Sequence, residues 1–264
     1  GAINGASTTT IIKEGGGQLE TTALDATEFS GDIIINDSGA ESSMHYASDI
    51  TRTFPVDGNF TQKQTEIYTV LLNAQLKAIE AVRPGVEYRE VHTLVCSEIG
   101  AGLKCLGLMK GDVSEAVAAG AHALFMPHGL GHMLGLDAHD MEDLGEVHVG
   151  YDGKPKSTLF GLKSLRLGRK LEPGFVHTVE PGIYFIPELI DLWRGEGRFK
   201  DFIDYDRVEQ YKDFGGCRNE EVFVITDTGA RLLGKPLPKT IEEAKAAGRN
   251  RAQHIPPDAD PDPR

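Results

Sequence analysis

Hydrophobic residues recur at helical spacing in the second quarter of the chain. Thr61 can cap the start of a long amphipathic helix, and Arg83-Pro84-Gly85 stops it. The apolar positions that define this helix are Ile67, Val70, Leu71, Ala74, Ala78 and Val82. Further helices are predicted over residues 88–105 and 113–119, and from Thr240 to about residue 247.

Shorter apolar runs that contain β-branched residues predict strands. Residues 32–36 hold three consecutive isoleucines, and Asp37-Ser38-Gly39 ends that strand. A strand over 175–185 is broken by Glu180-Pro181-Gly182. The other predicted strands cover residues 8–12, 44–54, 218–226 and 230–233. Residues 150–170 predict a long polar loop, and residues 252–264 predict a disordered tail.

Composition narrows the classes of protein. The chain has 264 residues, enough for one large domain or two small ones. Its net charge of −13 argues against non-specific binding to nucleic acid or to an anionic membrane, and we expect part of the acidity to hold cations. No apolar run approaches the ~18 residues of a membrane span, and no signal peptide opens the chain. Three scattered cysteines favour a reducing compartment, so we predict a cytoplasmic protein.

Three of the nine histidines lie in one segment, Phe125–Asp140, which reads FMPHGLGHMLGLDAHD. His128 and His132 are four residues apart, a spacing that would place two ligands on one face of a helix. The proline and glycines around them disfavour a helix, so we predict an extended segment or loop whose backbone can approach a ligand closely. By itself the segment is equally consistent with three unrelated histidines.

Four acidic residues stand in predicted strands or where strands stop: Asp37, Asp49, Glu180 and Glu220. Burying a carboxylate is costly unless it is paired or binds a metal, although any one of them could be an edge charge or half of a salt bridge. Four carboxylates balance two divalent cations, and one histidine among them suits Mn²⁺, Co²⁺ or Zn²⁺. Two metals ~3.5–4 Å apart can share a bridging hydroxide that attacks a carbonyl.

Six blocks of sequence that contain these residues resemble one family. The blocks are Asp37-Ser-Gly, Ser48-Asp-Ile-Thr-Arg-Thr-Phe-Pro55, Met126-Pro-His-Gly-Leu-Gly-His132, Leu136-Asp-Ala-His-Asp140, Thr178-Val-Glu-Pro-Gly-Ile-Tyr184 and Arg218-Asn-Glu220. Their residues and order resemble the pita-bread metallopeptidases, which include methionine aminopeptidase, aminopeptidase P and prolidase. The matching blocks are spread from Ile33 to Lys235.

The resemblance implies a role for each metal ligand. Asp37 would chelate one metal ion, and Asp49 and Glu220 would bridge both. His132 and Glu180 would complete the second metal site. The implied cofactor is a pair of divalent ions, with manganese expected first and cobalt or zinc as alternatives.

The resemblance also assigns residues to the substrate. His128 and His139 would be catalytic, because they would hydrogen-bond the substrate and help to move protons. Arg218 would orient the bridging region and contact the substrate, whereas Tyr184 is expected mainly to pack. Arg166 lies fourteen positions before Glu180, where an arginine in prolidases binds the carboxylate of the dipeptide. The alternative is that Arg166 is one of several solvated basic residues in a polar loop.

The implied fold is α+β, the pita-bread fold, in which a curved, mostly antiparallel sheet carries helices on its outer face and forms pseudo-twofold halves. Residues 1–251 would form the catalytic domain. The implied function is hydrolysis of Xaa-Pro bonds by a metal-bridging hydroxide, foremost in dipeptides, on a small peptide with proline after the scissile bond. The alternatives are an Xaa-Pro aminopeptidase acting on longer peptides and an inactive domain that binds peptides or proteins. A homodimer is also expected.

Three departures from the pattern accompany this resemblance. Asp37 and Asp49 are twelve positions apart, one more than expected of prolidases. No histidine lies before His45, although the proline-specific enzymes usually carry one upstream of the first metal aspartate. The N-terminal domain of the proline-specific members is also expected to be absent.

Overall fold

The computed structural model describes residues 10–11 and 31–252, and the side chains of residues 31–247. Its strands are β1 (Thr10–Ile11), β2 (Ile33–Ser38), β3 (Ile50–Pro55), β4 (Val176–Val179), β5 (Gly182–Phe185), β6 (Gly215–Arg218), β7 (Glu221–Ile225) and β8 (Ala230–Leu232). Its α-helices are α1 (Gln62–Ala81), α2 (Tyr88–Cys105), α3 (Val113–Ala119), α4 (Glu146–Tyr151), α5 (Pro187–Gly195), α6 (Tyr205–Glu209) and α7 (Ile241–Ala252). Single 3₁₀ turns lie at Ala121–Leu124, Glu142–Leu144 and Leu162–Ser164.

The strands form small sheets in which antiparallel pairing dominates. β2 pairs with β3 in antiparallel fashion and with β1 in parallel, β4 and β8 both flank β7, and β5 pairs with β6. The β4–β5 segment is interrupted at Glu180-Pro181, and the β6–β7 segment is interrupted at Asn219-Glu220. Because Val179 is opposite Glu221 and Gly182 is opposite Arg218, the two interruptions face each other. An amide hydrogen bond of 3.0 Å from Glu220 to the Thr51 carbonyl brings β3 to the same place.

The long helices cover this arrangement with apolar side chains. α1 packs along α2 and contacts β4, β5 and β6. Ile67, Leu71, Ala74 and Ala78 are fully buried, and they are among the positions that the helical spacing selected. The predicted helices over residues 88–105 and 113–119 are confirmed at both ends.

Several predicted boundaries need correction. The strand expected over 44–54 begins only at Ile50, because residues 41–47 double back through an isolated bridge between Glu41 and Ala47. Asp49 therefore stands immediately before β3 and not inside a strand. The strand expected over 218–226 is two strands, with Glu220 in the break between them. Helices α5 and α6 lie in segments for which no element was predicted.

The polar loop predicted over 150–170 is mostly irregular but is not solvated throughout. Leu165 and Leu167 are fully buried in the main core, and the hydroxyl of the buried Tyr151 donates to the Leu165 carbonyl at 2.6 Å. The apolar residues of this segment therefore hold it against the core. Of the predicted strand over 8–12, only residues 10–11 are described, and the tail beyond residue 252 lies outside the described residues.

Within residues 10–11 and 31–252, no helix is long and apolar enough to cross a membrane. The antiparallel sheets and the packed helices agree with an α+β protein.

The capping box of α1 provides a test of how the long helix is held. The Thr61 side chain accepts from the Gln64 amide at 3.2 Å, and the Gln64 side chain accepts from the Thr61 amide at 2.9 Å. Thr61→Ala removes one half of this pair, so we expect the free energy of unfolding in urea to fall by about 0.5–2 kcal/mol. Thr69→Ala, at an exposed position in the same helix, is the control and should change it by less than about 0.5 kcal/mol. Equal losses in the two variants would contradict the capping role.

Candidate metal centre

All five predicted metal ligands meet where the sheets come together. Asp37 lies near the end of β2, opposite Thr51 of β3. The other four lie beside strand ends: Asp49 precedes β3, Glu180 and Glu220 occupy the two strand breaks, and His132 runs beside β4. Ligand atoms of Asp49, His132 and Glu220 all lie within 4.8 Å of one another.

The ring of His132 is fixed in the orientation that a metal ligand needs. Its Nδ1 is 2.9 Å from the Met133 carbonyl oxygen, which can only accept, so the Nδ1–H donates to it. In the neutral tautomer that a metal ion requires, the unprotonated Nε2 faces the carboxylates, 3.3 Å from Glu180 and 3.6 Å from Asp49. A histidine whose second nitrogen donates to a carbonyl is the usual arrangement around a bound metal ion.

The glycine before His132 lets the segment pack closely on β4. A Cβ on Gly131 would overlap the Thr178 carbonyl oxygen and lie 2.8 Å from both Thr178 Oγ1 and the Tyr88 hydroxyl. Gly131 also lines the cavity in front of the cluster, and the predicted close approach to a ligand stays a prediction. The packing on β4 brings the His132 amide within 3.1 Å of Thr178 Oγ1, and the Thr178 amide donates to the His132 carbonyl at 3.0 Å. The extended, non-helical segment predicted from its proline and glycines is confirmed.

Two neighbouring buried glutamates differ in how their charge is balanced. The Glu221 carboxylate forms salt bridges with Arg52 at 2.9 Å and with Lys239 at 2.8 Å. Glu220 is equally buried, but within the described part of the chain its Oε2 accepts only the Thr51 hydroxyl at 2.7 Å, and its Oε1 has no hydrogen-bond partner there. An unpartnered buried carboxylate oxygen is costly, and a cation is the group that would satisfy it.

The pKa values of the cluster show the same lack of positive charge. Burial, together with neighbouring carboxylates, raises the pKa of Asp37, Glu180 and Glu220 above their usual values. Burial lowers the pKa of His132, but its contacts with Asp49 and Glu180 outweigh burial and raise it to about 9. Oxygen donors with one imidazole suit hard or borderline divalent ions, so the donor set fits the metal pair that the sequence predicted.

Arg218 joins the cluster to the cavity in front of it. One nitrogen of its guanidinium pairs with Asp37, and a second donates to the Tyr184 hydroxyl at 3.0 Å. Its Nε donates to Thr51 Oγ1 at 3.2 Å, and that hydroxyl in turn donates to Glu220. Arg218 therefore orients two of the carboxylates, one directly and one through Thr51.

The two histidines predicted to be catalytic flank the carboxylates in different ways. His128 donates from Nδ1 to the Gly129 carbonyl at 2.7 Å, so its Nε2 accepts from the Tyr184 hydroxyl at 3.1 Å. Burial lowers the pKa of His128 to about 4, which keeps the ring neutral at pH 7. His139 is more exposed, and its ring stands edge-on to His132 with 4.5 Å between ring centroids.

A cavity of about 450 Å³ opens beside the cluster and collects the predicted substrate residues. Its wall includes His128, His139, Arg166, Tyr184 and Arg218, with Asp37, His132 and Glu180 among its other lining residues. The Arg166 side chain is 40% exposed and pairs with Glu142. Arg166 thus lies on the cavity wall, as the prolidase-like segment predicted, with part of its guanidinium open to solvent.

Three further residues of the site escaped sequence analysis or were underrated there. Tyr184, expected mainly to pack, bonds both His128 and Arg218 with its hydroxyl. Thr51 and Thr178 hold Glu220 and Glu180 through their hydroxyls, the second at 3.2 Å. Thr51 lies two residues after Asp49, and Thr178 lies two residues before Glu180, so period-2 alternation along a strand could have indicated them.

Comparison with known proteins identifies the family. The sequence model of Metallopeptidase family M24 matches residues 16–227, and the chain belongs to this family. It is 40% identical to the Xaa-Pro dipeptidase of Homo sapiens over 223 aligned residues. The alignment covers 84% of this chain and 43% of that protein. It is also 40% identical over 216 residues to the Xaa-Pro aminopeptidase of Escherichia coli, and this alignment covers 82% of this chain and 41% of that protein.

Solved structures agree with this assignment. The aminopeptidase PepP of Pseudomonas aeruginosa superposes with a TM-score of 0.66 at 35% identity, covering 85% of this chain and 43% of that one. Zinc-substituted Escherichia coli aminopeptidase P in complex with product superposes with a TM-score of 0.66 at 38% identity. This match covers 84% of this chain and 42% of that one. The predicted α+β pita-bread fold is confirmed, and the chain spans less than half the length of these relatives.

The crowded carboxylates predict how the metal-free chain responds to pH. Folded Glu220 keeps its proton well above pH 4.5, the usual pKa of a glutamate, so unfolding releases protons. The free energy of unfolding should therefore fall as pH rises above 4.5. Glu220→Gln removes this titration and should make the fall smaller, measured by urea unfolding in EDTA.

The matched control is Glu188→Gln, at an exposed position in the first turn of α5, which should leave the pH dependence unchanged. Saturating Mn²⁺ should raise the stability of the parent chain most at the higher pH, because metal ligands must be deprotonated. If the free energy of unfolding of Glu220→Gln depends on pH in EDTA as that of the parent chain does, the pKa of Glu220 is not raised in the folded chain.

Proposed function

We propose that the chain hydrolyses Xaa-Pro peptide bonds, foremost in dipeptides, with divalent metal ions as cofactor. The convergence of four carboxylates and the Nε2 of His132 at one end of the cavity carries this proposal. Family membership implies divalent metal ions, and the relatives named Xaa-Pro dipeptidase and Xaa-Pro aminopeptidase supply the substrate class.

The proposed ligands are Asp37, Asp49, His132, Glu180 and Glu220, which would hold two ions, manganese first among the candidates. Such a pair supplies Lewis acidity and a nucleophilic hydroxide at neutral pH. The unpartnered Oε1 of Glu220 supports its role as a ligand, and the tautomer of His132 supports binding through Nε2. Arg218 would keep Asp37 ionised and correctly oriented.

The proposed catalytic histidines hold and move protons beside the scissile bond. His128 presents Nε2 to the cavity, where the Tyr184 hydroxyl occupies it in the absence of substrate. Burial raises the pKa of Tyr184 to about 12, so this hydroxyl keeps its proton and donates it in the hydrogen bond to His128. His139, on the more open side, is placed to hydrogen-bond a peptide that lies across His132.

Arg166 would give the site its preference for dipeptides. A guanidinium matches a carboxylate in bidentate geometry, and the free carboxylate of a dipeptide would replace Glu142 as its partner. A second candidate is an Xaa-Pro aminopeptidase acting on longer peptides, which the aminopeptidase P structures favour. A homodimer and a cytoplasmic location stay predictions.

The separation of metal binding from proton transfer can be tested with two histidine variants. His132→Ala should lose bound metal and, with it, the release of proline from Gly-Pro in the presence of Mn²⁺. His128→Ala should keep its metal while kcat falls by about 10²–10⁴-fold. Metal content is measured by elemental analysis of the purified chains.

The control is His148→Ala, at an exposed position in α4 away from the cavity lining, which should retain both metal and rate. Unchanged metal content in His132→Ala would overturn the assignment of that ligand. A fully metal-loaded parent chain that releases no proline from Gly-Pro or Ala-Pro would overturn the proposed dipeptidase.

Dipeptidase and aminopeptidase activity are distinguished at Arg166. Arg166→Ala should raise KM for Gly-Pro by about 10–100-fold with a smaller change in kcat, because the lost contact is made to the bound substrate. Its control is Lys163→Ala, at an exposed position in the same loop, which should leave KM unchanged. Cleavage of Xaa-Pro-Yaa tripeptides but not dipeptides by the parent chain would assign the second candidate function.

A further inference from the structure

A second group of metal-ligating side chains lies outside the M24 site. His92 and Cys96 are one helical turn apart on the inner face of α2, and His122 comes from the turn Ala121–Leu124. All three side chains are buried, and none of them belongs to the sequence blocks of the candidate metal centre. The proposed hydrolysis of peptides assigns no role to these three residues.

Several polar atoms of this group lack a well-formed hydrogen bond to any described residue. These atoms are Nδ1 of His92 and both ring nitrogens of His122, beside which the Val117 carbonyl is the one polar neighbour that affects the pKa of the ring. Nε2 of His92 meets only the Cys96 sulfur, at 3.5 Å. Unsatisfied imidazole nitrogens cost free energy when they are buried, and each neutral ring has one nitrogen with a lone pair. An occupant that accepts these two lone pairs would stabilise the fold.

The separations between the ligand atoms of these three residues are close to those around a tetrahedral or trigonal metal ion. Bond lengths of ~2.3 Å to sulfur and ~2.0–2.1 Å to nitrogen place these two ligands about 3.6 Å apart around tetrahedral zinc. His92 and Cys96 already have this separation, and one ligand atom from each of the three residues lies within 4.8 Å of the others. A small rotation of side chains would complete the set.

We propose that His92, Cys96 and His122 form a separate binding site for a thiophilic d¹⁰ metal ion, Zn²⁺ or Cu⁺. One thiolate with two imidazoles is the ligand set that these ions prefer, whereas the carboxylate-rich centre suits harder ions. The Cys96 thiol gives up its proton to solvent when the metal–sulfur bond forms, because only the thiolate binds. Cu⁺ with one thiolate is neutral, and Zn²⁺ would need an anionic fourth ligand.

The surroundings provide an entrance and room for that fourth ligand. A cavity of about 330 Å³ is lined by all three residues, with Thr93, Ser97 and Ser114 as its polar wall. Burial lowers the pKa of His92 to about 3, and burial lowers that of His122 to about 4 against the pull of the Val117 carbonyl. Both rings are therefore neutral at pH 7, and no proton competes with the metal for their nitrogens.

A metal ion at this place would join two parts of the fold. α2 is one of the main core helices, and His122 lies six residues before His128, at the entry to the histidine segment Phe125–Asp140. Cross-linking them would restrain the segment that carries His132. The ion is therefore expected to raise the thermal stability of the chain and not to take part in hydrolysis.

Cobalt(II) is a suitable probe, because a cobalt–thiolate bond gives a near-ultraviolet charge-transfer band and the candidate metal centre contains no cysteine. The parent chain loaded with Co²⁺ should show this band at one equivalent per chain. The band should persist in the double variant Cys105→Ser/Cys217→Ser, where Cys96 is the sole thiol, and should vanish in Cys96→Ser. His132→Ala should retain it, which separates this site from the proposed peptidase site.

Metal identity and effect on stability follow from a second measurement. In the His132→Ala chain, one equivalent of Zn²⁺, or of Cu⁺ under anaerobic reducing conditions, should raise the Tm, and Cys96→Ser in that background should abolish the shift. The ion that competes better against a chelator of known affinity is the one that the site prefers.

Two results would overturn the proposal. One is a folded Cys105→Ser/Cys217→Ser chain that shows no charge-transfer band with Co²⁺ and no Tm shift with either ion. The other is a band that survives in Cys96→Ser, because the thiolate would then come from another cysteine. If Cys96→Ser does not fold, His122→Gln takes its place and should weaken the band and the Tm shift, and an unchanged response there would also overturn the site.

Discussion

Carboxylates crowded into a partly buried space repel one another, and the centre of this structure is arranged around that repulsion. The chain supplies one guanidinium, from Arg218 to Asp37, and leaves Glu220 with a single threonine hydroxyl. Next to it, Glu221 shows how the same residue type is satisfied when two basic side chains are provided. The unbalanced charge of Glu220 costs stability in the folded chain, and a bound cation would offset that cost.

The precision of the centre depends on backbone contacts more than on the ligands themselves. Gly131 lets the histidine segment lie against β4 closely enough for the amide of His132 to reach Thr178. The same Thr178 hydroxyl donates to Glu180, so one side chain connects the backbone of His132 to the Glu180 carboxylate. Because β4 and β7 are paired directly, the two strand breaks that carry Glu180 and Glu220 stay opposite each other.

The two buried histidine-containing groups have opposite chemistry. Around His132 the neighbours are oxygen donors that raise the pKa of the ring, whereas burial is the main cause that lowers the pKa of His92 and of His122. The first donor set would suit a hard or borderline cation, held by charge, and the second would suit a soft ion, held through covalent bonding. Under the two proposals, ligand type would keep two kinds of metal apart in one chain.

The sequence by itself determined the long helices, the extended histidine segment and the identity of the family, because these depend on local spacing and on ordered blocks of residues. Helical periodicity placed α1 and α2, and the acidic residues at strand ends pointed to a cation site. Only the tertiary structure decided that Asp49 precedes its strand, that Tyr184 connects His128 to Arg218, and that His92, Cys96 and His122 meet. These facts depend on distances between residues far apart in the chain, and such distances are set by how sheets and helices pack and not by any local pattern.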